Sequence, residues 1–230
     1  MARSMKIGPL DRVPTASRIA DQLREAVMSG ALPQGAQVGE VNLAAQFGVS
    51  RGPVREAMQR LVQEGLLRSI PHRGIFVAAL TDDDVRDIYD ARQAIESAAI
   101  RAIMRRGDTE KVARRLDTAV ARMTAAGGRG DSATLSRGDL AFHELLVAQS
   151  GSVRLQRMAS TLLVETRMCM AALTETYVAP VYLIEEHAEI ARAIRCGDLA
   201  RALALLDDHM RDAVRRLTPA PAGAEPAGEG

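Results

Sequence analysis

VNLAAQFGVSRGPVREAMQRLVQEGLL, residues 41–67, reads as two helices joined at a tight corner. Leu43, Ala44 and Phe47 give the first helix an inner face, and Val54, Met58 and Leu61 give the second one. Gly48 and Val49 turn the corner, which is the layout of a helix-turn-helix. Ser50 stands where it can cap the second helix, and Pro53 is tolerated in a first turn. Arg51 and Arg55 are four residues apart and share one face at the start of that helix. This is the end of a recognition helix that enters a major groove. An arginine placed there can pair with guanine O6 and N7 or grip a phosphate.

Working outward, Ser17 to Ser29 carries Ile19, Ala20, Leu23, Ala26 and Val27 at helical spacing, and Gly30 stops it. LPQG makes a turn, and the middle helix is expected from Val38 to Phe47. After Gly65, LLRSI and IFVAAL flank a turn at PHRG and read as a two-stranded hairpin. Its tip, with His72 and Arg73, is a wing able to touch backbone or minor groove. Three packed helices with surface arginines would explain the helices alone; the hairpin adds what that reading lacks.

Charge supports the division. Residues 1–80 hold ten Lys/Arg against six Asp/Glu, a net of +4, and residues 81–230 hold twenty against twenty-three, a net of −3. A basic front and a mildly acidic back imply that only the front meets an anionic polymer. With no Trp, three Tyr and three Phe, the chain lacks the stacking platforms of single-strand or RNA binders. No window approaches the ~18 apolar residues of a membrane span, and no signal-peptide core opens the chain. Cys169 and Cys196 make no disulfide framework and read as reduced thiols of a cytoplasmic protein.

The second block is expected to be all helix. Thr81 followed by three aspartates is a strong helix start, with a cap and then negative charge on the positive end of the dipole. Helices are placed near 82–106, 109–126, 132–149, 152–177, 181–196 and 198–217, punctuated by Gly107, Gly127–Gly130, Gly151, Pro180 and Gly197. The expected organisation is a lead-in at 1–14, a winged helix-turn-helix at 15–80, a helical domain at 81–217 and a disordered tail at 218–230. The fold class is mainly α: three helices plus a β-hairpin, then an antiparallel six-helix bundle.

Several polar residues fall on the apolar stripes of this bundle. Asp139 and His143 lie beside Leu135, Phe142 and Leu146; His187 lies among Leu183, Ile184, Ile190, Ala191 and Ile194; His209 lies among Leu199, Ala202, Leu206 and Ala213. A lone inward histidine is ordinarily a hydrogen-bonded core residue. Three with an aspartate, if their helices converge, satisfy one another through a metal ion, as bundles arrange from facing helices. Nitrogen and carboxylate donors suit zinc, the ion expected first, and also nickel, manganese or iron, so donor type alone does not name the metal. Arg92 falls on the inner line of Val85, Ile88, Ile95 and Ala99 and needs an anion there: Glu96 one turn on, or the carboxylate of a bound effector. Arg167 is a weaker version of the same idea and reads as solvated.

LAAQFGVSRGPVREAMQRLVQEGLL followed by PHRGIFV closely resembles the winged helix-turn-helix of the GntR family of bacterial transcriptional regulators, over residues 15–80. The resemblance implies DNA contacts from Ser50, Arg51 and Arg55, and from the wing around Arg73 and Gly74. Val41 and Asn42 stand where some members carry a basic residue, so an operator does not carry over. Residues 81–217 resemble the FCD effector-binding domain of the FadR subfamily, through DLAFHELLVAQSG, EEHAEIARAIRCGD and DDHM. Its metal-binding version uses one Asp and three His, matched by Asp139, His143, His187 and His209, and six helices place the chain nearer the VanR-like branch. The resemblance implies a homodimer on double-stranded operator DNA, with repression relieved by a small organic or sugar acid. Two rivals stand beside it: a metal-dependent hydrolase and a direct metal sensor.

Overall fold

The computed structural model describes residues 14–172 and 182–218. The lead-in up to residue 13, the expected helix beyond 172, the stop at Pro180 and the tail from 219 lie outside the described residues. The chain divides into two compact units, one through Ala78 and one from Ala79.

In the first unit, α1 (Thr15–Met28) buries Ala16, Ile19, Ala20, Leu23 and Val27. That stripe packs on α3 (Arg51–Gln63), which buries Val54, Ala57, Met58 and Leu61. Arg24 closes the contact by donating from Nε and Nη2 to the two carboxylate oxygens of Glu64, both at 2.9 Å. Between them, α2 (Glu40–Phe47) buries Leu43 and Ala44 and ends at Gly48. Gly48 has a φ of +62°, the left-handed conformation that glycine adopts without a Cβ penalty.

Two expectations are corrected here. The middle helix begins at Glu40, because Gln37–Val38 forms a short strand, β1. The wing is accordingly a three-stranded antiparallel sheet and not a hairpin alone. In it β3 (Gly74–Val77) lies between β1 and β2 (Leu67–Ile70), with Val38 opposite Ile75 and Leu67 opposite Val77.

The second unit contains α4 (Asp82–Arg106), α5 (Thr109–Gly127), α6 (Ser132–Gln149), α7 (Val153–Ala172), α8 (Tyr182–Arg195) and α9 (Leu199–Leu217). Thr81 and Asp84 complete a reciprocal capping box on α4: Thr81 Oγ1 accepts from Asp84 N at 3.2 Å, and Asp84 Oδ2 accepts from Thr81 N at 2.8 Å. α4 packs on α6, α7 and α9, α5 on α6 and α8, and α8 on α9. Ile100, Ile103, Leu116, Phe142, Leu146, Ile190, Ile194 and Leu206 form the centre of one core. The expected inner residues of this unit are buried except for Ile184, which is half-buried, and Leu199, in the first turn of α9, which is 37% exposed.

α5 and α6 approach closely at Gly138, where a Cβ would lie 2.7 Å from Met123 Cγ. Gly138→Ala gains about 1 kcal/mol of helix propensity but overpacks the contact, at a cost of about 1–3 kcal/mol. The expected result is a net loss, read as a drop of a few degrees in the thermal midpoint. An unchanged or raised midpoint would contradict the close approach.

Candidate metal centre and recognition helix

Ser50, Arg51 and Arg55 stand at the exposed start of α3. Ser50 occupies the N-cap position, but its side chain makes no capping hydrogen bond, contrary to expectation. Its hydroxyl is therefore not tied up by the helix end. Both arginines are gripped by Glu40, a residue the sequence reading missed. Arg51 Nε donates to Glu40 Oε1 at 2.7 Å; Arg55 donates from Nη2 to Oε1 at 2.9 Å and from Nε to Oε2 at 3.1 Å. At the wing tip, His72 has a φ of +60°, and Arg73 lies over the Phe76 ring, 5.8 Å from its centroid. The Arg73 carbonyl accepts Gln37 Nε2 at 3.0 Å, which ties the tip to β1.

In the helical unit, α6 supplies Asp139 and His143, α8 supplies His187, and α9 supplies His209. All four are buried, and one ligand atom from each lies within 4.8 Å of the others. His143 Nε2 is 3.0 Å from His209 Nε2 and 3.2 Å from His187 Nε2, and His187 Nε2 is 3.0 Å from Asp139 Oδ1.

The opposite ring nitrogens decide what these atoms can do. His143 Nδ1 is 2.6 Å from Glu96 Oε2, His187 Nδ1 is 2.6 Å from the Leu183 carbonyl, and His209 Nδ1 is 2.8 Å from Glu186 Oε2. Each of those oxygens is an acceptor, so each Nδ1 carries a hydrogen, and in the neutral tautomer with that hydrogen each ring turns its Nε2 lone pair inward. Asp139 Oδ1, facing them, has no hydrogen-bond partner. Three lone pairs and a carboxylate oxygen pointed at one another repel unless a cation lies among them. The donor set and its outer carboxylates are those of a divalent metal site.

Burial opposes ionisation of Asp139, yet the adjoining His143 and His187 hold its carboxyl well below the usual range. Burial, with the charges of His187 and His143, pushes His209 well below the usual imidazole value. Ionised Asp139 and neutral His209 are the forms that bind a metal, whereas at His143 burial is outweighed by the Glu96 charge, which raises that imidazole from its usual value. Glu96 was expected only as a partner of Arg92; its second oxygen orients His143.

Arg92 is buried at 2% exposure. It pairs with Glu96, one of the two anions expected for it, Nε to Oε1 at 3.1 Å, reaches Thr166 Oγ1 at 3.5 Å, and lies over the Tyr89 ring at 4.8 Å. Its Nη2 has no partner. The Glu96 pairing therefore leaves one buried guanidinium nitrogen to spare. Arg167 is exposed, as expected. Both cysteines are free: Cys196 is exposed, and burial pushes the Cys169 thiol up to about 12.

The family models divide the chain in the same way. Residues 15–77 match the bacterial regulatory proteins of the gntR family, and residues 87–212 match the FCD domain. The chain belongs to the GntR family. A GntR head followed by an FCD domain is consistent with the FadR subfamily and its VanR-like branch. The chain is 30% identical to a probable D-xylose utilization operon transcriptional repressor of Paenarthrobacter nicotinovorans, over 87% of this chain and 88% of that one. It is 28% identical to the gluconate operon transcriptional repressor of Bacillus subtilis, over 88% of this chain and 85% of that one. Among solved structures, a GntR regulator from Rhodococcus sp. RHA1 shares the fold with a TM-score of 0.74 at 24% identity, over 89% of this chain and 98% of that one. E. coli McbR/YncC does so with a TM-score of 0.73 at 24% identity, over 90% and 98%.

This GntR protein is therefore a DNA-binding transcriptional regulator with a small-molecule effector domain. The family is one of regulators and not enzymes, which removes the hydrolase reading. No helix among the described residues is long and apolar enough to cross a membrane.

Proposed function

We propose that this regulator is a homodimeric repressor whose grip on a pseudo-palindromic operator is released by a small carboxylic or sugar acid bound at a metal site. The observation that carries this reading is the convergence of three Nε2 lone pairs and the unpartnered Asp139 Oδ1 on one buried point. Asp139, His143, His187 and His209 would hold the ion, a divalent metal that such donors suit, zinc among them. When bound, the ion would supply a Lewis-acidic anchor for the effector carboxylate. Arg92, through its spare Nη2, would take another oxygen of the same acid. One named relative acts on a gluconate operon, and gluconate is a sugar acid, which supports an effector of that class.

In the front unit, Ser50, Arg51, Arg55 and Arg73 would contact DNA. Two copies related by a two-fold axis require two half-sites about one helical turn apart. Arg51→Ala or Arg55→Ala should cost about 1–3 kcal/mol of operator binding and relax discrimination at one base step. Fluorescence anisotropy on a duplex selected from a random pool reads this, and unchanged affinity in both variants would overturn the assignment.

The effector half has its own test. Protein stripped of metal and protein reloaded with zinc are screened by thermal shift against organic and sugar acids. At least one acid should stabilise the loaded form and leave the stripped form unmoved. No stabilising acid, or equal stabilisation of both forms, would contradict the metal-anchored pocket.

A further inference from the structure

Glu40 opens α2, and its carboxylate lies between the two arginines that open α3. A guanidinium carries five N–H donors in one rigid plane. Glu40 takes the Nε edge of Arg55 through two bonds and the Nε hydrogen of Arg51 through one. What remains free on each arginine is the outer edge, the kind of fork that fits guanine O6 and N7. Both arginines are exposed, and pairs of that kind stabilise a fold little. The fold therefore does not need this contact, while its geometry fixes two long side chains that would otherwise sample many rotamers.

The charge matters as much as the geometry. Two arginines with one carboxylate between them present a net of +1 to DNA where the arginines alone would present +2. Hydrogen bonds from Arg55 and then Arg51 lower the Glu40 carboxyl from its ordinary value, so it stays ionised at neutral pH. Attraction to phosphate is the part of DNA binding that carries no sequence information. An anion in the reading head weakens that part while leaving the outer forks in position.

We propose that Glu40 is a specificity-determining positioning residue, which holds Arg51 and Arg55 in a base-reading pose and withholds them from the phosphate backbone. The inference rests on α3 being the reading helix.

The test uses the full chain with Glu40→Gln and Glu40→Asp. Each protein selects sites from a random-sequence duplex pool, and affinities are then measured for the wild-type consensus and a scrambled duplex across a salt series. Glu40→Gln keeps the size and an acceptor but drops the charge. It should bind scrambled DNA more tightly, steepen the log–log salt slope by up to about one, and lose roughly tenfold in consensus-over-scrambled discrimination. Glu40→Asp keeps the charge but shortens the reach, and should lose discrimination with little change in the salt slope. Circular dichroism establishes that each variant is folded. Equal changes on both duplexes with unchanged slopes would mean a merely structural contact and overturn the inference. A wild type that enriches no sequence would overturn it together with the assignment of α3.

Discussion

His187→Ala protein will lose the divalent metal that the wild type retains. Elemental analysis of gently purified wild type should find about one equivalent per chain, since the four ligands converge on one point. Loss of an outer-sphere partner alone weakens a metal by about 10–100-fold, and His187 supplies an inward lone pair, so its removal should exceed that range. The ring is also fixed: its Nδ1 hydrogen is taken by the Leu183 carbonyl one turn back on α8. Its Nε2 thus cannot turn away without leaving a buried donor unpaired. Metal retained at wild-type level in the variant would remove His187 from the ligand set. No metal in either protein, after zinc, nickel and manganese have been supplied, would return the histidines to hydrogen-bonding roles.

Arg92→Met will strongly destabilise the helical unit. Removing one partner of a buried ion pair costs about 3–5 kcal/mol, because the other charge is left buried. Glu96 would keep only His143 of its two partners, at 1% exposure. At this chain length each kcal/mol lowers the melting midpoint by about 2–4 °C, so a fall on the order of 10 °C is expected. Arg92→Lys separates stability from binding. A lysine restores the charge but not the fork, so it should recover much of the midpoint while failing to restore the response to acids. Full recovery of both by lysine would show that Arg92 acts as a charge and not through the placement of its spare Nη2.

Much of this protein is legible in its sequence, for reasons of range. Arg51 and Arg55 share a face because helical spacing is local, and the same spacing pairs Arg92 with Glu96 and aligns Asp139 with His143. The inward placing of Asp139, His143, His187 and His209 is legible as polar residues interrupting apolar stripes, a pattern with a physical cost attached, while the convergence of α6, α8 and α9 is a condition of that reading which only the packing supplies. What escaped depends on contacts between distant segments. Gln37–Val38 is too short to show a two-residue period, and only pairing with β3 makes it a strand. Glu40 looks like an ordinary acidic residue until α2 packs on α3. Glu186 looks solvated beside His187, yet it orients His209 on the neighbouring helix. Ser50 has the residue type of a cap, and its side chain does not make the bond.

The measurement that bears most directly on the account is operator affinity against effector concentration, on metal-loaded and metal-stripped protein, for an acid whose binding calorimetry has established. A ligand shifts DNA affinity only by its differential affinity for the two states of the protein. The account predicts that the acid weakens operator binding of the loaded protein by about 5–150-fold and leaves the stripped protein unmoved. An acid that fills the pocket of the loaded protein and leaves operator affinity unchanged would contradict it.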